Sequence, residues 1–245
     1  MNEALRNIKT IAKRELTGYF ASPVAYVVIV IWLLLVGFFT FSLGGFFEIG
    51  QASLAQPFFF WHPWLYLFLV PAVGMRLWSE ERRLHTMELL LTMPISSWQA
   101  IVGKFLASWL FLITALALTF PVVLTVTYLG NADSGEIITG YIGSALLAGG
   151  YLAVTAMTSA MTRNQVISFI LSVVICFFLL LCGYEPVTRL LPEKTVGLVS
   201  GFSSLFHFAN FQRGVIDSRD VVYFLSLIGF PLFLTGVIIR NLRAG

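Results

Sequence analysis

Long apolar runs separated by short polar ones set the outline of this chain. A helix needs roughly 20 predominantly apolar residues to cross a bilayer. Runs near that length occupy 24–43, 58–78, 105–129, 137–161, 166–183 and 221–239. Ahead of them, Leu5, Ile8, Ala12, Leu16 and Tyr19 share one arc of a helical wheel, and Arg6, Lys9, Lys13 and Arg14 share the adjoining arc. That pattern predicts an interfacial amphipathic helix over 1–22, its basic side toward anionic headgroups, ending at Ser22-Pro23. The fourth run is rich in small residues. Gly140, Ser144 and Ala148 repeat every four positions, as do Ala145, Gly149 and Ala153. Such rows let helix backbones approach closely, which predicts a place in the middle of a bundle. Between the fifth and sixth runs lies the longest connection, 184–220. Its middle, 196–211, is apolar but only about half the crossing length, so short helices on or dipping into the outer surface are expected.

One stretch departs from this pattern. Residues 79–97, SEERRLHTMELLLTMPISS, crowd Glu80, Glu81, Arg82, Arg83, His85 and Glu88 between two apolar runs. On a helical wheel Leu84, Met87, Leu90 and Leu91 share an arc, and Leu89 projects almost opposite it. Pro94 disfavours helical geometry at Met93 and closes the segment. The reading is a short amphipathic helix on the membrane surface, offering charges and one apolar knob to a partner. An ordinary basic loop between two spans would have a similar composition.

Composition narrows the class. With 58% apolar and 11% charged residues and a mean hydropathy of +0.88, a soluble domain of this size could not keep its apolar surface from water. The runs are long and unbroken, unlike the alternating segments of a β-barrel. The expected fold is therefore all-α, a single polytopic membrane domain over 1–245 with six spans. The net charge of +3 does not indicate nucleic acid, because most Lys and Arg flank the spans. Six spans put both termini on one side, and that side carries eleven Lys and Arg against four in 184–220. The positive-inside rule then places the termini and 79–97 in the cytoplasm. Cys176 and Cys182 stand six positions apart in one apolar run, about 9 Å along a helix, too far for a disulfide.

Little in the chain suggests chemistry of its own. A Walker-type GxxxxGK[ST] loop, an HExxH pair and a Cys/His cluster at zinc spacing are all missing from the sequence. Glu80-Glu81 begins like the paired glutamates of CAAX-type membrane proteases, but His85 stands where those proteins carry arginine, and the FxxxH pair Phe58 and His62 falls on the wrong side of it. The spans lack a mid-membrane Asp or Glu, which disfavours a proton- or sodium-coupled carrier. His62, beside Trp61 and Trp64, is expected to be an interfacial hydrogen-bonding residue.

The run LWSEERRLHTMELLLTMPISSWQAIVGKF, Leu77 to Phe105, resembles the coupling segment of ABC-2 type permeases, the membrane subunits of type V ABC exporters. That segment has paired glutamates with basic residues, Gly-Thr, a glutamate, a Leu-rich turn, Pro-[IV]-[ST] and then Gly-Lys. This chain matches it except that His85 replaces the Gly of Gly-Thr. The compact size and FFFWHPW motif are most similar to the branch with gliding-motility and copper-maturation permeases. The resemblance implies a permease without enzymatic activity, paired with a second copy or a related chain above an ABC ATPase dimer that binds ATP and Mg. Glu80, Glu81, Arg82, Arg83, Thr86, Glu88, Leu89 and Pro94 would form the ATPase-coupling interface, with charge contacts from Glu81 and Arg83 and Leu89 as the inserted knob. The expected setting is the bacterial cytoplasmic (inner) membrane, with lipids as neighbours, an extracytoplasmic partner open, and no nucleic acid. Export of an amphipathic or lipid-linked substrate is one implied function. Mechanical transmission to outer partners is the alternative. A substrate path would draw on Thr114, Thr119 and Thr125 or on Thr155, Thr158 and Ser159, whose ordinary role is helix packing or bonding back to the helix.

Overall fold

The computed structural model describes residues 3–49, 53–86, 95–130, 132–189 and 192–244, and among these the regular structure is entirely helical. Helix α1, Glu3–Ala21, turns its half-buried face, including Ile8, Ile11, Ala12, Glu15, Leu16 and Tyr19, toward the bundle, and leaves Arg6, Lys9, Lys13 and Arg14 exposed. Leu5, on the same predicted arc, is exposed. At the elbow after α1, Ser22 caps α2 (Pro23–Phe38) by accepting from the Val24 amide, and Pro23 fills the first turn, where its missing N–H costs no helix bond. Helix α2 runs into a π-helical turn, Phe39–Leu43. A side chain on Gly44 would meet the Pro57 carbonyl oxygen at 2.7 Å, so only glycine lets the two backbones pass. Helix α3 (Phe46–Ile49) is a single turn.

The second apolar run is not one helix. A 3-10 turn at Phe59–Trp61 leads into α4 (His62–Gly74), and a turn separates it from α5 (Ser79–Arg83). Helix α6 (Ser97–Ala117) starts on a capping box in which Ser96 and Gln99 satisfy each other's amides. It is interrupted at Leu118 and Thr119 before α7 (Phe120–Leu129), which carries Pro121 in its first turn. Helices α8 (Ser134–Met161) and α9 (Gln165–Leu181) are capped by Asp133 and Asn164. Three short helices follow, α10 (Glu185–Thr188), α11 (Glu193–Ser200) and α12 (Ser204–Gln212), and then α13 (Ser218–Ala244). By length and composition four helical runs can cross a membrane: Pro23–Glu48, Ser97–Leu129, Ser134–Met161 and Ser218–Asn241. Helix α9 is apolar but has 17 residues, and α4 has 13.

Helix α8 is the centre of the bundle, with α4, α6, α9, α12 and α13 packed on it. Its glycines admit that ring. A β-carbon at Gly140 would fall 2.4 Å from the Phe59 ring, one at Gly143 2.6 Å from Phe211, and one at Gly150 2.7 Å from Leu227. Phe59 is fully buried and presents ring atoms at all three nearest positions, so its whole ring would have to move. Gly140→Ala is therefore expected to destabilise the chain by about 1–3 kcal/mol. A melting temperature in detergent equal to that of the parent would contradict this packing.

His62 is hydrogen-bonded as expected, but within the bundle and not at its surface. It is fully buried, with Nδ1 2.7 Å from the Ser144 hydroxyl and its ring packed against Phe58, Trp32 and Tyr66. The flanking tryptophans pointed to a surface, but the 3-10 turn rotates His62 inward onto α8.

At the same end of α8, Asp220 on α13 is buried and holds α12 through His207 Nδ1 at 2.6 Å and Asn210 Nδ2 at 2.8 Å. His207 also stacks on Tyr223, ring centroids 4.1 Å apart. Asp220→Ala removes the acceptor for both groups, each buried group left unsatisfied costing about 1–3 kcal/mol. Faster amide hydrogen exchange across α12, with α8 unaffected, is the expected readout.

Candidate functional site

The site grows from the packing of α1 on α6. Asn7 Nδ2 donates to Gln99 Oε1 at 3.3 Å, Gly103 lies so close to Ile11 that a β-carbon there would meet its methyl at 2.8 Å, and the Tyr19 and Ser108 hydroxyls are 2.9 Å apart. Numbers rise together on both helices, so they run parallel. Tyr19 also stacks on Phe111 at 5.2 Å. Burial pushes the Tyr19 phenol up to about 12, so it stays neutral and bonded at physiological pH.

Between these contacts sits Lys104. Its side chain is 6% exposed, and Nζ lies 2.8 Å from Glu81 Oε1 and 3.3 Å from Glu15 Oε1, over the face of Trp78. One cation thus ties α1, α5 and α6 together. Arg14 extends the chain of charges to Glu15 at 3.0 Å from the exposed side.

A second tie fixes the turn between α4 and α5. Ser159, fully buried on α8, accepts from the amides of Trp78 and Ser79 at 3.0 Å each and donates to the Met75 carbonyl at 2.9 Å. That uses the donor and both acceptor positions of one hydroxyl. Arg82 Nη1 donates to the Ala160 carbonyl at 2.6 Å, where burial, and secondarily the positive charge of Arg163, pull its pKa down.

These ties sort the predicted interface residues by direction. Glu81 faces inward to Lys104, and Arg82 is half-buried against α8. Glu80 is half-buried. Arg83, Leu84, His85 and Thr86 are exposed, with the Thr86 hydroxyl 3.5 Å from the Glu81 carbonyl oxygen. Glu88, Leu89 and Pro94 lie outside the described residues.

His85 follows the end of α5 with φ of +56°, the left-handed region where helices commonly end on glycine. The one departure from the coupling motif therefore stands where the backbone favours that motif's glycine. His85→Gly is expected to stabilise this turn by about 1 kcal/mol. His85→Val, β-branched in the same conformation, should destabilise it. Paired melting curves that moved the other way would refute this account of the turn.

The threonines and serine suggested for a path occupy two kinds of place. Thr114 and Thr125 are exposed on α6 and α7 and bond back to the carbonyls of Leu110 and Pro121. Thr119 is buried, bonded to the Leu116 carbonyl and to the Tyr141 hydroxyl. Thr155, Thr158 and Ser159 are fully buried. Thr155 bonds to the Tyr151 carbonyl, Thr158 to Ser172, and Ser159 makes the tie already described. Sequence reasoning missed Glu15 and read Lys104 only as a flanking charge and part of Gly-Lys. In the structure the glycine admits α1 and the lysine binds it.

The family model described as ABC-2 family transporter protein matches residues 57–213, well over half of the chain and spanning α4 through α12. The chain belongs to that family. It is a multi-pass membrane protein and the permease subunit of an ABC transporter, and membership of the ABC-2 family implies an ATPase partner. No curated protein matches this ABC-2 permease. The matched region holds 79–97, and the tie from Lys104 to Glu15 joins it to α1, outside the match.

Proposed function

We propose that this ABC-2 permease carries the work of a separate ATPase dimer into the membrane through 79–97, exporting an amphipathic or lipid-linked substrate. In this reading α1 and 79–97 face the cytoplasm of a bacterial cell, the six apolar segments cross the inner membrane, and 184–220 lies outside. A second copy completes the complex, and ATP and Mg bind only to the ATPase subunits. The observation that carries the reading is the tie of Glu81, Lys104 and Glu15. It joins α5 to α1 and α6, so a load on the segment after α5 reaches the bundle instead of being lost in a loose loop. Arg83, exposed beside this tie, is the outward charge, and Leu89 the candidate knob.

The test is recovery of the ATPase with the permease from membranes. Arg83→Glu and Leu89→Asp should each reduce recovery at least tenfold, as loss of a buried charge contact or insertion of a carboxylate into an apolar groove would. Membrane yield should stay at the parental level. Full recovery and full ATPase activity in both variants would overturn the coupling role.

A second reading, mechanical transmission to outer partners without a cargo, draws support from Thr155, Thr158 and Ser159, whose hydroxyls are all engaged inside the chain. Stimulation of ATPase activity in liposomes by an added amphiphile favours export. Activity indifferent to amphiphiles favours transmission.

A further inference from the structure

A cavity of about 440 Å³ opens beside the elbow between α1 and α2. Its volume falls within the roughly 300–1,000 Å³ of small-ligand pockets. One wall is apolar, with Val24, Ala25 and Val28 of α2 facing Val73 of α4 and Phe111 of α6. The other is charged, with Arg76, Glu80 and Glu81 beside Glu15 and Lys104. Lys104 is committed to Glu15 and to one oxygen of Glu81. The second oxygen, Glu81 Oε2, is buried and has no hydrogen-bond partner among the described residues. Neither Arg76 nor Glu80 makes a side-chain ion pair among the described residues, and among these the cavity presents one uncommitted cation, one uncommitted carboxylate and one orphaned carboxylate oxygen.

A buried carboxylate oxygen without a donor is costly, and a ligand ammonium would relieve it. A ligand phosphate would pair with the Arg76 guanidinium. The apolar wall continues into exposed Val24 on α2, a helix of the apolar run Pro23–Glu48. Charge of both signs at one end and an aliphatic wall at the other match a lipid. We propose that this cavity holds a zwitterionic phospholipid with a primary ammonium, phosphatidylethanolamine. Its ammonium donates to Glu81 Oε2 and Glu80, its phosphate meets Arg76, and its acyl chains run along the Val24 and Val28 face. The bound lipid would brace the elbow of α1 whatever cargo the transporter handles, and no part of the proposal depends on the export reading.

Methylation of the headgroup offers a test at constant charge, with anionic phosphatidylglycerol as a separate comparison. Full-length permease in detergent is mixed with phosphatidylethanolamine, its N-methyl and N,N-dimethyl derivatives, phosphatidylcholine or phosphatidylglycerol, and lipid retained per chain is read by native mass spectrometry alongside the melting temperature. Retention and thermal protection should fall stepwise as each methyl removes an N–H donor. Phosphatidylcholine and phosphatidylglycerol should be retained about tenfold less than phosphatidylethanolamine, the loss of roughly one good contact. Glu80→Gln and Arg76→Gln, which break no ion pair described here, should each lower phosphatidylethanolamine retention while the lipid-free melting temperature holds. Val28→Trp, which fills the apolar wall, is a second route to the same loss. Equal retention of phosphatidylethanolamine and phosphatidylcholine would overturn the proposal, as would retention untouched by all three variants. Competition by soluble phosphoethanolamine at the same concentration would show a soluble ligand instead of a lipid, and would overturn it too.

Discussion

Lys104→Met should cause the largest loss of stability of any single change at the α1 end of the bundle. The methionine keeps most of the aliphatic stem, so the volume lost is small. The charge is what goes. Glu81 and Glu15 would then face each other, 18% and 25% exposed, with no cation between them. Removing one partner of a buried ion pair typically costs about 3–5 kcal/mol, because the other charge stays buried and uncompensated. Both carboxylates here keep some solvent access, which puts the expected cost at the lower end. Membrane yield and melting temperature in detergent are the readouts. Adding Glu81→Gln to Lys104→Met should restore much of the loss, and the coupling energy from that double-mutant cycle is the direct measure of the pair. Parental melting of Lys104→Met would mean the tie holds nothing. By the same logic Glu81→Lys sets two ammonium groups against one another, so it should lower yield before any selective effect on the ATPase can be read.

The second large effect is expected from Ser159→Ala. One hydroxyl serves the amides of Trp78 and Ser79 and the carbonyl of Met75, and alanine leaves those groups to find other partners inside the bundle. Each buried group left unsatisfied costs about 1–3 kcal/mol. Thr155→Val, one turn earlier on α8, is the control. Thr155 bonds only to the Tyr151 carbonyl in its own helix, so the isosteric change should be nearly silent. If Ser159→Ala folded like Thr155→Val but altered handling of an added amphiphile, Ser159 would belong to a cargo path and not to a packing tie.

The all-helical class was legible because 58% apolar residues in long runs admit few alternatives, and the family because 77–105 carries its motif almost intact. Direction was much less legible. A helical wheel sets Glu81 away from the Leu84 arc but cannot say that Lys104 and Glu15, 23 and 66 positions away, converge on it. His62 looked interfacial from its neighbours in sequence, yet its decisive neighbour is Ser144. The interruption at Leu118 and Thr119 did have a local signal in Pro121, which the apolar continuity of 105–129 obscured. The π-helical turn at Phe39–Leu43 falls in an apolar run with no such signal.

The parallel contact of α1 with α6 has a mechanical consequence. Two rods touching at one point pivot, whereas two rods fastened at intervals bend as a single beam, stiffer than either alone. Asn7 with Gln99, Ile11 with Gly103, Glu15 with Lys104 and Tyr19 with Ser108 are such fastenings, following one another in the same order along both helices. The beam ends at Phe111, where Tyr19 stacks, about two turns short of the interruption at Leu118 and Thr119. Displacement of α1 is therefore delivered to α6 along its length, and that interruption is the first compliant joint at which the strain can be absorbed.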